Sequence, residues 1–167
     1  YRISHTRERW IRNGRIISQK GQTHRRSGEI FDEALIKCII GPSTVMLERR
    51  LFEEHGGFDE KLEVGEDYEL WLRITASEEV GYLDRELTEK HAGHGDQLSE
   101  RYGQIEGFRL QALRKLLLEG RLPGDRREEA KRELVRKLSI FAAGARKRGR
   151  HEEASKLEEE SRRWCEE

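Results

Sequence analysis

A chain of 167 residues is the size of one domain and can bury a core, yet 34% of it is hydrophobic and 40% charged, so much of it must be solvated surface. Its 33 basic residues balance 33 acidic ones, which leaves no global field to favour nucleic acid or an anionic membrane. No apolar run approaches the roughly 18 residues of a membrane span, no signal-peptide pattern is present, and Cys38 and Cys165 stand far apart outside any metal-type pair, as suits a reducing cytoplasm.

Tyr1 to Gln19 reads as a β-hairpin, with Trp10 and Ile11 on one arm and Ile16 and Ile17 on the other. Asn13-Gly14 between them tolerates the positive φ of a type I′ turn. Arg7, Arg12 and Arg15 on the arms either meet an anionic acceptor or phosphate, or are the solvated charges of a strand edge. Lys20 to Ser27 is a polar loop. Glu29 to Ile40 is predicted as an amphipathic helix burying Ile30, Phe31, Ala34, Leu35 and Cys38, closed by Gly41-Pro42. Ser43 to Leu47 follows as a short strand, and the turn before it exposes the hydroxyls of Ser43 and Thr44. These either bind an acceptor sugar or cap the next helix.

The stretch from Gly56 to Arg73 organises the rest. Gly56 and Gly57 close a short helix through positive φ, Phe58 folds back as an apolar plug, and Glu66-Asp67 opens the next helix at the end where its dipole favours negative charge. Tyr68, Trp71, Leu72 and Thr75 then share an apolar face, with Glu69 and Arg73 away from it. Two acids at a helix start are a common cap. They are also what a proton-abstracting site needs, because a carboxylate held within hydrogen-bond reach of a hydroxyl acts as a general base. Trp71 reads as core or as a sugar-stacking surface.

Ala76 to Glu79 reads as a turn, Val80 to Leu83 and Leu87 to Lys90 as two strands joined by Asp84-Arg85-Glu86. His91-Ala-Gly-His94-Gly-Asp96 forms a loop whose imidazoles are suitable ligands for a divalent metal. Beyond Ser99 the chain turns helical. A helix to Glu119 stops at Gly120, a second is capped by Asp125 and carries Ala130, Leu134, Leu138, Phe141 and Ala145 along one stripe, and a third places Ala154, Leu157, Ser161 and Trp164 on one side. The last two are expected to form an antiparallel hairpin. This tail either packs as a stabiliser or presents a face to a partner or a second copy.

The words Gly57-Phe58-Asp59-Glu60 and Glu66-Asp67-Tyr68-Glu69-Leu70-Trp71-Leu72-Arg73, with Gly41 to Phe52 before them and Val80 to Ser99 after, resemble the second half of family 2 glycosyltransferases of the GT-A type. The resemblance implies that the parent protein transfers a sugar from a nucleotide-sugar donor to a sugar or lipid-linked acceptor hydroxyl with inversion. Asp67 would be the base and Glu66 would orient it. Ser43, Thr44, Gly57, Phe58 and Trp71 would line the acceptor side, and His94 would meet a divalent manganese or magnesium ion. The family's Asp-x-Asp element and nucleotide-binding half are absent, so the metal would be held mainly outside these residues and the isolated piece would be inactive. The expected class is α+β, mostly helical, with an acceptor-side segment over residues 1–99 and a helical region over 100–167. The expected place is the cytoplasm, either free or peripheral to the inner face of the membrane. The competing reading is a non-catalytic helical interaction module whose acids are caps and whose aromatics are core.

Overall fold

The computed structural model describes residues 1–17, 25–92 and 105–166. The chain is α+β and mostly helical, and it divides into two compact units, Tyr1–Ala112 and Leu113–Glu167. The division falls inside one helix, α4 (Ile105–Leu118).

The first unit is built on β1 (Ile3–Arg12), the central strand of a four-stranded sheet. Along one edge runs β4 (Val80–Ala92), parallel to it. The other edge is shared end to end by β3 (Val45–Leu47), pairing antiparallel with Ile3 to His5, and β2 (Arg15–Ile17), pairing antiparallel with Trp10 to Arg12. Asn13 and Gly14 adopt φ of 50° and 70°, the two consecutive positive values that the hairpin turn requires. The arginines of β1 do not lie on a free edge. Arg7 pairs with Asp84 and Glu86, and Arg9 with Glu86 and Glu89, all on β4.

Two expected elements differ. The helix of residues 29–40 is only α1 (Phe31–Ile36); Lys37 is extended, at φ −156° and ψ 160°, and Cys38 to Ile40 leave the helix. The β-branched pair Ile39-Ile40 runs straight into Gly41-Pro42, where the residue before proline is excluded from helical backbone, and a 3-10 turn over Pro42–Thr44 follows. The two short strands around Asp84-Arg85-Glu86 are one continuous strand, β4. Its extra residues are absorbed as register shifts, Thr6 pairing with Leu83, Arg7 with Glu86 and Glu8 with Thr88, so a bulge stands where a turn was expected.

Helix α2 (Arg49–Glu54) ends at the Gly56-Gly57 turn, φ 75° and 69°, and α3 (Glu66–Thr75) starts from left-handed Gly65. Tyr68, Leu70, Trp71, Leu72 and Ile74 are buried, and so are Glu69 and Arg73, at 0% and 5% exposure. The expectation that this acid and base face away from the apolar side is therefore wrong. Arg73 forks onto Glu69, Nε to Oε1 at 2.9 Å and Nη2 to Oε2 at 2.6 Å, and its remaining donors go to the carbonyl oxygens of His55 and Gly57. The bidentate pair is buried because the left-handed turn exposes carbonyls inward that only a multi-donor side chain can satisfy.

Two expected results follow from this turn. Gly57→Ala places a β-carbon at positive φ and 3.1 Å from the Phe52 ring. It should cost about 1–2 kcal/mol in a denaturant titration, from the left-handed backbone before any clash. His55, beside Arg73, has its pKa lowered by burial and then by the arginine charge, against smaller opposing effects from Glu78 and Glu54. An imidazole whose folded pKa is depressed binds fewer protons folded than unfolded, so stability is present above the unfolded value near 6.5 and falls as pH drops through the folded one. Melting temperature should decline on acidification from about pH 7, and His55→Gln should flatten that decline.

In the second unit α5 (Gly124–Lys147) and α6 (His151–Glu166) pack against each other through a tight connection at Gly149, φ 74°. Ala130, Leu134, Leu138, Ala142 and Ala145 of α5 and Ala154 and Trp164 of α6 are buried. Pro123, rather than Asp125, precedes the first turn of α5, with Asp125 just inside it. Arg146 pairs with Glu158 across the hairpin, and Arg114, on the α4 turn that belongs to this unit, forks onto Glu160. Among the described residues no helix is long and apolar enough to cross a membrane.

Candidate functional site

A cavity of about 320 Å³ opens in the first unit, at the small end of the range for ligand pockets. Its walls come from three places. Thr6, Glu8 and Trp10 alternate along β1, so their side chains leave one face of the sheet, and Lys90 joins them from β4. The non-helical segment Lys37 to Gly41, left by the early end of α1, forms a second wall together with Pro42 and Thr44 of the 3-10 turn. Asp67, in the first turn of α3, and Arg109, on α4, form the third.

Asp67 is fixed by neighbours. Its Oδ1 accepts the Tyr68 backbone N–H at 2.7 Å, and Oδ2 lies 3.5 Å from the Cys38 Sγ. Burial and then the nearby Asp67 charge push the Cys38 thiol well up from its ordinary value, so the sulfur keeps its proton and acts as donor rather than nucleophile. The Tyr68 hydroxyl donates to the Leu35 carbonyl oxygen at 2.6 Å, which locks the start of α3 to α1, and the Arg109 guanidinium lies 5.8 Å over the Tyr68 ring. The capping interaction and the cavity position coexist in Asp67. One oxygen satisfies the helix start while the residue still lines the opening.

On the sheet side, Glu8 Oε1 accepts the Trp10 indole N–H at 2.6 Å, and the Lys90 ammonium sits 4.7 Å over the Trp10 ring. Glu8 Oε2 and Arg109 Nε are shielded from solvent without a hydrogen-bond partner among the described residues.

Of the candidate site residues proposed from sequence, Asp67 and Thr44 line this cavity. Thr44 is buried and its hydroxyl donates to the Gly41 carbonyl oxygen at 2.8 Å, so it holds the 3-10 turn. Ser43 is exposed outside the cavity, and Glu66 is half-buried at the helix start. Gly57 is a buried hinge whose carbonyl is taken by Arg73. Trp71 is 2% exposed, in the core and away from the cavity, where it meets Phe58 edge-on at 6.2 Å. Phe58 is partly a plug, packed edge-on against Phe52 as well yet 42% exposed. His94 lies outside the described residues, and His91 is an exposed residue of β4. Among the described residues no group of three His, Cys, Asp or Glu side chains could hold a metal ion. Glu8, Trp10, Lys37, Lys90 and Arg109 were not expected in the site. The Glu8-x-Trp10 spacing on a predicted strand was the one available signal for a shared face, whereas nothing local places Arg109 beside Asp67.

No family model and no solved structure matches this chain. A stretch of 69 residues, 41% of the chain, is 35% identical to an uncharacterized glycosyltransferase of Rickettsia conorii, and a stretch of the same length is 35% identical to an uncharacterized glycosyltransferase of Rickettsia felis. The match covers 11% of the length of each of those proteins. This similarity supports a glycosyltransferase-related role for the chain.

Proposed function

We propose that this chain is the acceptor side of a family 2, GT-A type glycosyltransferase that uses a nucleotide-sugar donor and inverts the anomeric centre, with Asp67 as general base. The observation that carries the reading is the position of Asp67, a carboxylate fixed at the start of α3 and lining a polar cavity. In the reaction the acceptor hydroxyl oxygen forms its bond to the anomeric carbon of the donor as the bond from that carbon to the diphosphate breaks. Asp67 takes the hydroxyl proton, and the nucleoside diphosphate leaves with the bonding electrons. Lys37, Lys90 and Arg109 on the cavity wall set a positive field that draws an anionic donor or acceptor towards it.

The donor-binding half would be contributed by residues not in this sequence, in keeping with the small share of the rickettsial proteins that it matches, and the piece alone would then be inactive. A manganese or magnesium ion, expected from the resemblance, finds no convergent ligand set among the described residues. What these residues perform is proton removal and acceptor placement. On this reading the reaction runs in the cytoplasm.

The test is nucleotide-sugar turnover by the full-length protein with manganese or magnesium, wild type against Asp67→Asn. Donor consumption that the variant loses while staying folded supports the reading. A full-length protein that consumes no UDP-, GDP- or TDP-sugar removes it in favour of a helical interaction module.

A further inference from the structure

The cavity carries more positive than negative charge. Arg25, Lys37, Lys90 and Arg109 line it against Glu8 and Asp67, four cations to two carboxylates. Neither carboxylate neutralises a lysine. Glu8 accepts the Trp10 indole N–H, and Asp67 is engaged by the Tyr68 backbone N–H and the Cys38 thiol. Arg109 is paired with Glu106, which does not line the cavity. Lys37 and Lys90 are left, and neither forms an ion pair with an acid among the described residues. Elsewhere on the same sheet the cations are matched, Arg7 and Arg9 each to two acids of β4.

The two lysines belong to different walls. Lys90 is on β4, its ammonium held 4.7 Å over the Trp10 ring, and Lys37 stands where α1 gives way to extended backbone. Both are half-buried, so their charges are screened less than those of a fully solvated side chain. An ammonium is a compact point charge with three donors, suited to phosphate oxygens, whereas planar bidentate contact with a carboxylate is the work of arginine. A phosphate monoester carries about 1.5 to 2 negative charges at pH 7, which matches two unpaired lysines better than a single carboxylate does. We infer that Lys37 and Lys90 bind a phosphate monoester on the acceptor, so that the molecule whose hydroxyl reacts at Asp67 carries a phosphate of its own. Asp67 meets the acceptor, and a shared space of about 320 Å³, small for a ligand pocket, holds one small molecule, so the phosphate within it is the acceptor's. Naming that molecule the acceptor rests on the glycosyltransferase reading; the phosphate site does not.

The experiment has two arms, both on the full-length protein. The first needs no turnover. Calorimetric titration with inorganic phosphate, and with UDP, GDP and TDP as probes of the donor side, compares wild type with Lys37→Gln, Lys90→Gln and Lys37→Arg. Lys61→Gln, at an exposed lysine outside the cavity, is the control for net charge. The expected result is saturable phosphate binding that each cavity glutamine weakens about tenfold or more, the loss of a hydrogen bond to a charged group. Lys37→Arg and Lys61→Gln should keep it, with nucleotide affinity and melting temperature unchanged throughout. Wild type that binds no phosphate, or binds it as well without the two lysines, overturns the inference. Nucleotide affinity that falls in step with phosphate affinity assigns the lysines to the donor diphosphate and overturns it too. In the second arm, transfer from a nucleotide-sugar donor is measured to glucose, galactose and mannose and to their 6-phosphates. The phosphorylated acceptors should have the higher kcat/KM by about tenfold or more, and Lys37→Gln should abolish that preference. Equal use of both forms by wild type overturns the inference and leaves the glycosyltransferase reading standing. A donor that is never consumed removes that reading, and with it the acceptor, while the phosphate site stands or falls on the first arm.

Discussion

Arg73→Met is expected to lower the unfolding free energy of this protein by about 3–5 kcal/mol, the cost of removing one member of a buried ion pair. The change leaves the Glu69 carboxylate, wholly buried, without its counter-charge and strips donors from the carbonyl oxygens of His55 and Gly57. Against a total stability of about 5–15 kcal/mol for a domain, that is enough to unfold much of the population near physiological temperature. Urea titration followed by tryptophan fluorescence reads it, since Trp71 sits on the same helix. Replacing Glu69 and Arg73 together by methionine should recover part of the loss, because the uncompensated charge disappears, but not all of it, because the two carbonyls stay unsatisfied. Arg50→Met supplies the control. Arg50 also pairs with an acid four residues on, Glu54, but it is 85% exposed, and the loss of such a pair should stay within about 0.5 kcal/mol. Equal effects of the Arg50 and Arg73 substitutions would show that the buried clamp does not hold the turn.

Asp67→Asn should reduce sugar transfer by the full-length protein about 10²–10⁴-fold, the usual contribution of a positioned base, with the fold retained. The amide oxygen of asparagine can still accept the Tyr68 N–H that Asp67 Oδ1 accepts, so the helix start keeps its partner. Only the proton-accepting capacity is removed. Steady-state kinetics and a thermal melt measured on the same preparation separate the outcomes. A lost rate with an unchanged melt assigns the base; an unchanged rate confines Asp67 to capping; a lowered melt shows that the neighbouring Cys38 thiol needs a charged acceptor to hold the wall together.

The parts of the molecule that were legible in its sequence are those written in neighbouring residues. Asn13-Gly14 specified its hairpin turn, Gly56-Gly57 its left-handed pair, and the apolar spacing of α5 and α6 their packed stripes, because turn chemistry and helical periodicity act over a few positions. The parallel pairing of β1 with β4 left no such mark. Its partners are Ile3 with Val80 and Arg12 with Ala92, and no local pattern encodes a match between segments so distant. Arg73 misled for a related reason. A charged residue four positions after a glutamate reads as a solvated helix pair, and only the inward carbonyls of a turn sixteen and eighteen residues earlier make it a buried one. At the site, Asp67 was legible as an acid on a helix start, whereas Glu8, Lys90 and Arg109 gather around it through sheet pairing and helix docking that become visible only in three dimensions.

The central position of β1 also sets a schedule. It is made before the strand that covers one whole edge of it, from Ile3 to Arg12, which is not complete until residues 80–92 have been added. At about 5–20 residues per second of synthesis, one edge of this strand stays open for several seconds, while the hairpin partner β2 is available at once to Trp10 and Ile11 on the other. Long-range pairing of this kind is slow and leaves apolar edges open to other chains. Arg7, Arg9 and Arg12, spaced along the strand, are charges of the kind that guard such edges against self-association. In the finished protein Arg7 and Arg9 bind the acids of β4; before those acids are made, like charges at these positions disfavour pairing of the strand with a copy of itself.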